Sequence, residues 1–222
     1  MGRTAVIFPT WNRVQQAAAC IRRLLDTADV DVWVVSEDNP SLFGLELLDH
    51  PHFFFFETTR GMTAVQKWNY GLSVADADNK YASYMLGADD IWPADGWYEP
   101  VVEQLSYGAG LVSFNDGVTD GNLLGTHYIM SRDFIVKHHG GVMAVPHYRS
   151  WGLDVEATAR AKRAGLYHWA KDSHVEHRHV HWNKAKMDDT YKAGYRVHQY
   201  DEFILTIRRN AGFPNDFQAV IV

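Results

Sequence analysis

The first half of the chain alternates between short apolar runs and longer stretches with helical spacing. Apolar runs at residues 4–8, 30–36, 52–58 and 81–87 are rich in β-branched and aromatic side chains, which predicts four strands. The run at 52–58 is almost entirely apolar, so we expect it to be a central strand. NRVQQAAACIRRLLDTA, with Asn12 as a candidate N-cap, and TAVQKWNYGLSVA predict helices between the strands. Strands that alternate with helices predict a parallel sheet with helices on both faces.

The second half of the chain has a less regular pattern. GLVSFND and GTHYIMS predict two further strands, and residues 154–165 predict a helix that ends at a glycine. DGWYEPVVEQLS predicts a helix that is broken near Pro100. SHVEHRHVHWN predicts a short strand with His174 on one face and three histidines on the other: His177, His179 and His181. Alternating histidines of this kind are compatible with a zinc site and with ordinary polar positions.

Composition narrows the class of protein. The chain has 222 residues, of which 46% are apolar and 22% charged, and this indicates a folded domain with a real hydrophobic core. A formal net charge of −6 argues against a protein that coats nucleic acid. Cys20 is the only cysteine, so neither an internal disulfide nor a cysteine-based zinc site is expected. No apolar run approaches the ~18 residues of a membrane span. We therefore expect a cytoplasmic protein, in host cytoplasm if its origin is viral.

Polar clusters follow three of the four predicted strands of the first half. Their sequences are PTWNR, SEDN and GADD. Ligands of parallel α/β sheets bind at the carboxyl ends of the strands, so we expect these clusters to converge on one site. The adjacent carboxylates Asp89 and Asp90 are suitable ligands for Mg²⁺ or Mn²⁺ beside phosphate groups. An ordinary acidic turn would contain the same two residues.

Five motifs, taken in order, resemble the nucleotide-sugar-dependent glycosyltransferases of the GT-A fold, specifically the inverting family 2 type. The resemblance covers roughly residues 4–180. The motifs are Pro9-Thr10-Trp11-Asn12-Arg13, Glu37-Asp38, Asn69-Tyr70-Gly71, the DxD-like Gly87-Ala88-Asp89-Asp90, and WGLDVEATARAKRAGL, with SHVEHRH after it. The resemblance implies a Rossmann-like α/β/α sandwich whose central sheet is mostly parallel, with a small antiparallel portion on the acceptor side.

The same resemblance implies a division of the chain and a donor site. We expect a single domain, 1–222, with a nucleotide-sugar-binding half (1–92), an acceptor and catalytic half (93–182) and a C-terminal helical extension (183–222). Glu37 would accept a hydrogen bond from the base of a UDP-sugar, and Lys67 would reach the diphosphate. The full set of expected donor-site residues is Pro9, Thr10, Asn12, Arg13, Glu37, Asp38, Lys67, Asn69 and Asp89.

The metal and the acceptor side follow from the same resemblance. Mn²⁺ or Mg²⁺ would be held by Asp89, Asp90 and His177, and would stabilise charge on the departing diphosphate. Asp154 would be the base that takes the proton of the acceptor hydroxyl, although a helix N-cap is the simpler interpretation of the same residue. Trp151 is the expected platform for the sugar or acceptor. Gly87 and Leu153 depart from the motifs because a carboxylate is expected at each position, so either Asp89 or Asp90 could be the direct metal ligand.

Two other classes of protein remain open from the sequence. A nucleotidyltransferase on a related sheet would also use a metal and a nucleotide, but PTWNR lacks the glycines of its phosphate loop. A non-catalytic nucleotide-sugar-binding module would explain the missing carboxylates. The acceptor is open as well: a protein, a lipid-linked glycan, a small molecule, or hydroxymethylated pyrimidines in DNA. The C-terminal third is rich in Lys, Arg, His and aromatic residues, including Lys184 and Lys186, which suits phosphate contact and base stacking.

Overall fold

The computed structural model describes residues 2–215 and residue 217, which form a curled sheet between layers of helices. Parallel pairing links β3–β2–β1–β4, and the described strands then continue in the order β7–β6–β8–β5. The eight strands are β1 (Thr4–Thr10), β2 (Val30–Ser36), β3 (Phe53–Glu57), β4 (Ser83–Leu86), β5 (Ile91–Pro93), β6 (Leu111–Asn115), β7 (Tyr128–Ser131) and β8 (Tyr167–His177).

Helices cover both faces of this sheet. Along β1, Ala5 and Ile7 contribute to one apolar cluster, while Val6 and Phe8 contribute to the other, so the strand is buried on both sides. This is the double burial expected of a parallel sheet between helices. The helices are α1 (Val14–Thr27), α2 (Leu45–Leu48), α3 (Ala64–Ala75), α4 (Glu99–Ser106), α5 (Arg132–His138), α6 (Leu153–Arg163) and α7 (Asp189–Asn210).

The pairing of the strands confirms the predicted fold class. Among the described strands, β7 runs antiparallel to β4 and to β6, and β5 runs antiparallel to β8, while β8 is parallel to β6. The antiparallel pairs lie in the part of the sheet that runs from β4 to β5. The division of the domain at 92 and 182 stays a prediction. None of the described helices combines the length and the apolar character that crossing a membrane requires.

The predicted central position of the aromatic strand is wrong, because β3 lies at the edge of the sheet. Its apolar run reflects aromatic neighbours on both faces rather than a strand on each side. Trp33 of β2 stacks on Phe54 and Phe56, with ring centroids 4.5 Å and 5.2 Å away, and Phe43 packs against Phe53 and Phe55 on the other face. An edge strand can therefore be almost entirely apolar when large rings cover it.

Three local predictions are also corrected. Asn12 does not cap α1, because it adopts a left-handed conformation (φ 57°) and α1 has no side-chain cap. Pro100 does not break α4, because the helix begins at Glu99 and the proline lies in its first turn, where no N–H is needed. The three histidines do not share a strand face, because β8 ends at His177 and His179 caps a short 3₁₀ helix at Val180–Trp182.

Candidate active site

A cavity of about 450 Å³ opens at the carboxyl ends of β1, β2 and β4. Trp68 of α3, Arg149, Ser150 and the first half of α7 complete its walls. Six of the residues predicted from the sequence line it: Pro9, Thr10, Glu37, Lys67, Asp89 and Asp90. A larger cavity of about 530 Å³ lies near the opposite ends of β1 and β4 and contains none of the predicted residues. We assign the candidate site to the first cavity, because ligands of such sheets bind at the carboxyl edge.

Lys67 places a positive charge at the base of this cavity. It lies in the first turns of α3, which begins with a capping box between Thr63 and Gln66. Lys67 Nζ is 3.2 Å from Glu37 Oε1 and 3.2 Å from the carbonyl oxygen of Thr10, so it joins the ends of β1 and β2. Thr10 Oγ1 is buried and has no hydrogen-bond partner within the described residues. A buried hydroxyl without a partner is expected where a ligand supplies one.

The other predicted donor-site residues lie around the cavity rather than in its lining. Asp38 Oδ2 accepts hydrogen bonds from the Asn12 N–H (3.2 Å) and the Ser36 hydroxyl (3.0 Å), and thereby ties together the loops after β1 and β2. The Asn69 amide is hydrogen-bonded to the backbone of Met143 and Ala144, and it joins α3 to that segment. The structure does not bring Asn69 into this cavity.

Asp89 forms a chain of charges with Arg13 and Asp188. Arg13 donates one hydrogen bond to Asp89 (2.9 Å) and two to Asp188 (2.6 Å and 2.7 Å), and its guanidinium lies 3.8 Å from the centre of the Tyr191 ring. Burial raises the pKa of Asp89 to about 6, against the opposing effect of Arg13 and with the neighbouring Asp90 adding to the rise. The predicted nucleotide-pocket residue Arg13 is therefore paired with carboxylates on both sides.

Asp90 has a different electrostatic environment from Asp89. Its Oδ2 lies 3.6 Å from His177 Nε2 and 3.4 Å from the Tyr191 hydroxyl. Burial by itself would raise the pKa of Asp90, but the interactions with His177, and then with His127 and His179, outweigh burial and hold that pKa at about 2. Asp90 is thus the carboxylate of the pair that carries its charge over the whole physiological pH range.

Asp90 and His177 are suited to hold a divalent metal. A charged carboxylate and an imidazole are common ligands of Mn²⁺, and phosphate oxygens usually complete such sites. Nδ1 of the buried His177 has no hydrogen-bond partner in the part of the chain that the structure describes. Within that same part, no three His, Cys, Asp or Glu side chains are arranged as a metal site. Asp89 is already paired with Arg13, so Asp90 is the better candidate for the direct ligand.

Asp154 lies in the first turn of α6, which begins after the left-handed residue Gly152 (φ 81°). Asp154 is half-buried, and its Oδ1 accepts the N–H of Val155 at 2.9 Å. Burial raises the pKa of Asp154 to about 6, while backbone hydrogen bonds and the charge of His177 oppose the rise. Asp154 is not the N-cap, because Gly152 occupies that position. It lies outside the cavity lining, and His177 and Tyr128 are the residues that interact with it electrostatically.

Trp151 is partly exposed, with 37% of its surface accessible, and packs on His198 of α7 with ring centroids 4.5 Å apart. Trp151 directly follows Ser150, which lines the cavity, but it is not part of the lining itself. Sequence reasoning did not include α7 in the site. Asp188 at its N-cap accepts the Tyr191 N–H as a typical capping residue does. The contact of Asp188 with Arg13 spans 175 positions, and no local pattern reveals it.

His127 is a second residue that sequence reasoning missed. It precedes β7, and its ring meets the His177 ring edge to face with centroids 4.4 Å apart. Its Nε2 is buried and has no hydrogen-bond partner among the described residues. Burial lowers the pKa of His127 to about 4, and the charge of His177 adds to that effect. The only available signal was a polar residue at the start of an otherwise apolar predicted strand.

The sheet order and the cavity at its carboxyl edge define a GT-A-like α/β fold. The crystal structure of GalNAc-T7 with UDP, GalNAc and Mn²⁺ matches this fold with a TM-score of 0.61 at 11% sequence identity. The match covers 80% of this chain and 44% of the GalNAc-T7 chain, so this chain spans less than half the length of that protein. At this identity the likeness establishes the fold alone. No protein-family model and no curated protein sequence matches the chain.

Proposed function

We propose that this chain is a metal-dependent glycosyltransferase that moves a sugar from a nucleoside-diphosphate donor to an acceptor hydroxyl. The observation that carries the proposal is the cavity that brings Thr10, Glu37, Lys67 and the Asp89–Asp90 pair together at the carboxyl edge of the sheet. The fold likeness to GalNAc-T7, which was crystallised with UDP and Mn²⁺, supports a UDP-sugar as the donor.

The donor would lie with its base toward β2 and its diphosphate toward β4. Glu37 would accept a hydrogen bond from an N–H of the base through Oε2, since its salt bridge with Lys67 is made by Oε1. Pro9, Thr10, Asn12 and Asp38 would shape the base and ribose end. Lys67 lines the cavity and Arg13 pairs with Asp89, so both cations would lie near the diphosphate. Arg13 would exchange part of its pairing with Asp89 for phosphate oxygens.

Asp90 and His177 would hold Mn²⁺ or Mg²⁺, with Asp89 beside them. Such an ion, when bound, would act as a Lewis acid that stabilises negative charge on the diphosphate leaving group. The contribution of the chain is to keep Asp90 ionised and to place the His177 imidazole beside it. Burial of the site strengthens both interactions, because charges attract more strongly where water is excluded.

Asp154 is the proposed general base. A carboxylate with a pKa of about 6 is ionised at neutral pH, yet it is basic enough to take the acceptor proton as the oxygen attacks the anomeric carbon. One displacement of this kind inverts the configuration at that carbon. Trp151 would support the acceptor beside the cavity mouth. Hydroxymethylated pyrimidines in DNA are one candidate acceptor, for which removal of the Lys184 and Lys186 charges should weaken DNA binding and flatten its salt dependence.

Metal-dependent binding of UDP tests the donor site directly. Titration calorimetry should show UDP binding that strengthens at least ~10-fold when Mn²⁺ is added, and Asp90→Asn should remove that gain because the metal loses its charged ligand. Asp95→Asn is the matched control, since Asp95 is an exposed carboxylate shortly after β5. Equal UDP binding with and without Mn²⁺ in the unmodified protein would contradict the metal-dependent site.

A non-catalytic nucleotide-sugar-binding module is the second candidate, and the Arg13–Asp89 pair favours it. A carboxylate neutralised by a guanidinium is less available to a metal than a free one. Incubation with a panel of sugar nucleotides and Mn²⁺ separates the two functions, because a transferase releases nucleoside diphosphate from at least one donor. Binding of UDP without turnover of any donor would establish the module instead.

A further inference from the structure

Asp201 of α7 is a buried carboxylate that binds three consecutive backbone amides. Its Oδ1 accepts the N–H of Arg149 at 2.9 Å, and its Oδ2 accepts those of Ser150 at 2.9 Å and Trp151 at 2.8 Å. The side chain is fully buried. Within the described part of the chain, no Lys, Arg or His forms a salt bridge with it. Three converging amide dipoles are therefore the main compensation for its charge, as in the anion-binding nests of other loops.

The segment held by Asp201 connects the two halves of the proposed reaction. Arg149 and Ser150 line the donor cavity, and the partly exposed Trp151 follows directly after them. Gly152 then takes a left-handed conformation, and Asp154 follows in the first turn of α6. The backbone from the cavity wall to the proposed base is only a few residues long. A shift of residues 149–151 would move the acceptor platform and the base relative to the donor.

The helix that carries Asp201 is itself fixed at both ends. At its start, Asp188 binds Arg13, and near its end Arg208 donates hydrogen bonds of 2.7 Å to both oxygens of the buried Glu156 on α6. Asp201 lies between these two anchors. It therefore holds residues 149–151 against a helix that cannot easily move.

We propose that Asp201 is a positioning residue that decides whether the sugar is delivered to the acceptor or to water. The inference rests on the proposed function, since it assigns Asp201 a role in that same site. Asp201 acts through the backbone and does not touch substrate. With the segment released, the acceptor hydroxyl would lose its alignment with the anomeric carbon and with Asp154, while a water molecule needs no such alignment.

Asp201→Asn is the decisive variant. The asparagine side chain replaces one of the two accepting carboxylate oxygens by an NH₂ group, which would face a backbone N–H, and two donors cannot form a hydrogen bond. We expect the ratio of sugar transfer to donor hydrolysis to fall at least ~10-fold relative to the unmodified protein. Ile204→Ala is the matched control, since Ile204 is a buried apolar residue of α7 and its truncation loosens the same helix while the Asp201 carboxylate and its three hydrogen bonds are kept. An unchanged ratio in Asp201→Asn, or an equal fall in both variants at the same folded fraction, would overturn the proposal.

Hydrogen exchange measures the anchoring itself and does not depend on turnover. In the unmodified protein the amides of residues 149–151 should exchange slowly although they lie in a loop, and Asp201→Asn should make them exchange at least ~10-fold faster. Rapid exchange at these amides in the unmodified protein would overturn the role of Asp201 even if the variant does not fold. Absence of turnover with every donor would instead contradict the proposed function, and the exchange result would still decide whether Asp201 orders the segment.

Discussion

Position 87 lies where the end of β4 passes closest to β1, and no side chain fits there. A Cβ on Gly87 would lie 2.8 Å from the Phe8 ring and 2.9 Å from the carbonyl oxygen of Ile7. The Gly87 N–H donates to that same carbonyl oxygen, so the strand cannot move away without losing the hydrogen bond. The absence of a carboxylate at this motif position is thus a consequence of packing. The acidic group that remains is the Asp89–Asp90 pair.

Gly87→Asp should therefore destabilise the protein rather than restore an acidic motif. We expect a loss of about 3 kcal/mol in the free energy of unfolding, because the new side chain overlaps its neighbours and buries a charge. Urea denaturation measures this change. Ala88→Asp, one position further along and partly exposed, should cost less than about 1 kcal/mol. Equal stability of the two variants would contradict the packing explanation.

The pH dependence of transfer tests Asp154 as the base. The base must be ionised to accept a proton, and burial raises the pKa of Asp154 to about 6, so kcat/KM should rise with pH up to about 6 and then level off. Asp154→Asn should lower kcat by about 10²- to 10⁴-fold and remove this limb of the profile. Asp89 has a pKa of about 6 as well, so Asp89→Asn is the necessary control. If the rise of kcat/KM with pH persists in Asp154→Asn and disappears in Asp89→Asn, the group that titrates is Asp89 and not Asp154.

At the level of single residues, the sequence indicated six residues of the cavity lining but not how the charged side chains of the site pair with one another. These six residues lie at the ends of strands or face the edge of the sheet, so topology alone brings them together. They are Pro9, Thr10, Glu37, Lys67, Asp89 and Asp90. The partners of Arg13 could not be predicted, since a guanidinium can pair with any carboxylate that the fold brings near. Asn69 was predicted from a motif to line the donor site, but its side chain joins α3 to the backbone of residues 143–144 instead.

Among the elements, α7 is the one whose importance the sequence concealed. From the sequence, residues 183–222 were expected only to form a C-terminal helical extension. In the structure α7 closes one side of the cavity. The helix and its N-cap contact three other parts of the chain: Asp188 and Tyr191 contact Arg13, Asp201 binds the backbone of residues 149–151, and Arg208 binds Glu156. All of these contacts are polar and long-range, so hydrophobic periodicity does not reveal them. The predicted central position of β3 was wrong for a different reason. An edge strand that is covered by aromatic rings has the same apolar sequence as a central strand that lies between two others.

Two substitutions of Asp188 separate its roles as helix cap and as partner of Arg13. Asp188→Asn keeps a good N-cap but loses the charge, whereas Asp188→Ala loses both. We expect the alanine variant to be less stable than the asparagine variant by about 1 kcal/mol, the usual value of an N-cap. Urea unfolding of the two variants provides the measurement. Equal stabilities would show that the hydrogen bond to the Tyr191 N–H contributes nothing.

At the scale of the whole molecule, a buried histidine makes the free energy of unfolding depend on pH in the acid range. His139 is almost fully buried, and burial lowers its pKa to about 4, so it is neutral in the folded state. In the unfolded chain the same group takes up a proton below about pH 6.5. The stabilising contribution is thus fully present above pH 6.5 and is lost as the pH falls toward 4. The shift corresponds to about 3 kcal/mol.

Replacing His139 should remove this part of the pH dependence. Between pH 7 and pH 4, His139→Gln should lose about 3 kcal/mol less unfolding free energy than the unmodified protein does. His174→Gln, which changes an exposed histidine, should behave like the unmodified protein. Guanidinium denaturation at several pH values measures the difference. Parallel pH curves for His139→Gln and the unmodified protein would contradict a neutral, buried His139.

The bond between Arg13 and Asp188 also determines when the site can form during synthesis. Arg13 lies directly before the first helix and Asp188 directly before the last described one, so the acidic pair at Asp89 and Asp90 acquires its full surroundings only after both ends of this span have folded. Contacts between such distant parts of a chain form slowly, because a long loop must close first. A growing chain would expose the strand ends of the cavity without the α7 wall. We expect donor binding to appear only late, once α7 has docked, and a partly made chain to be unable to bind the nucleotide.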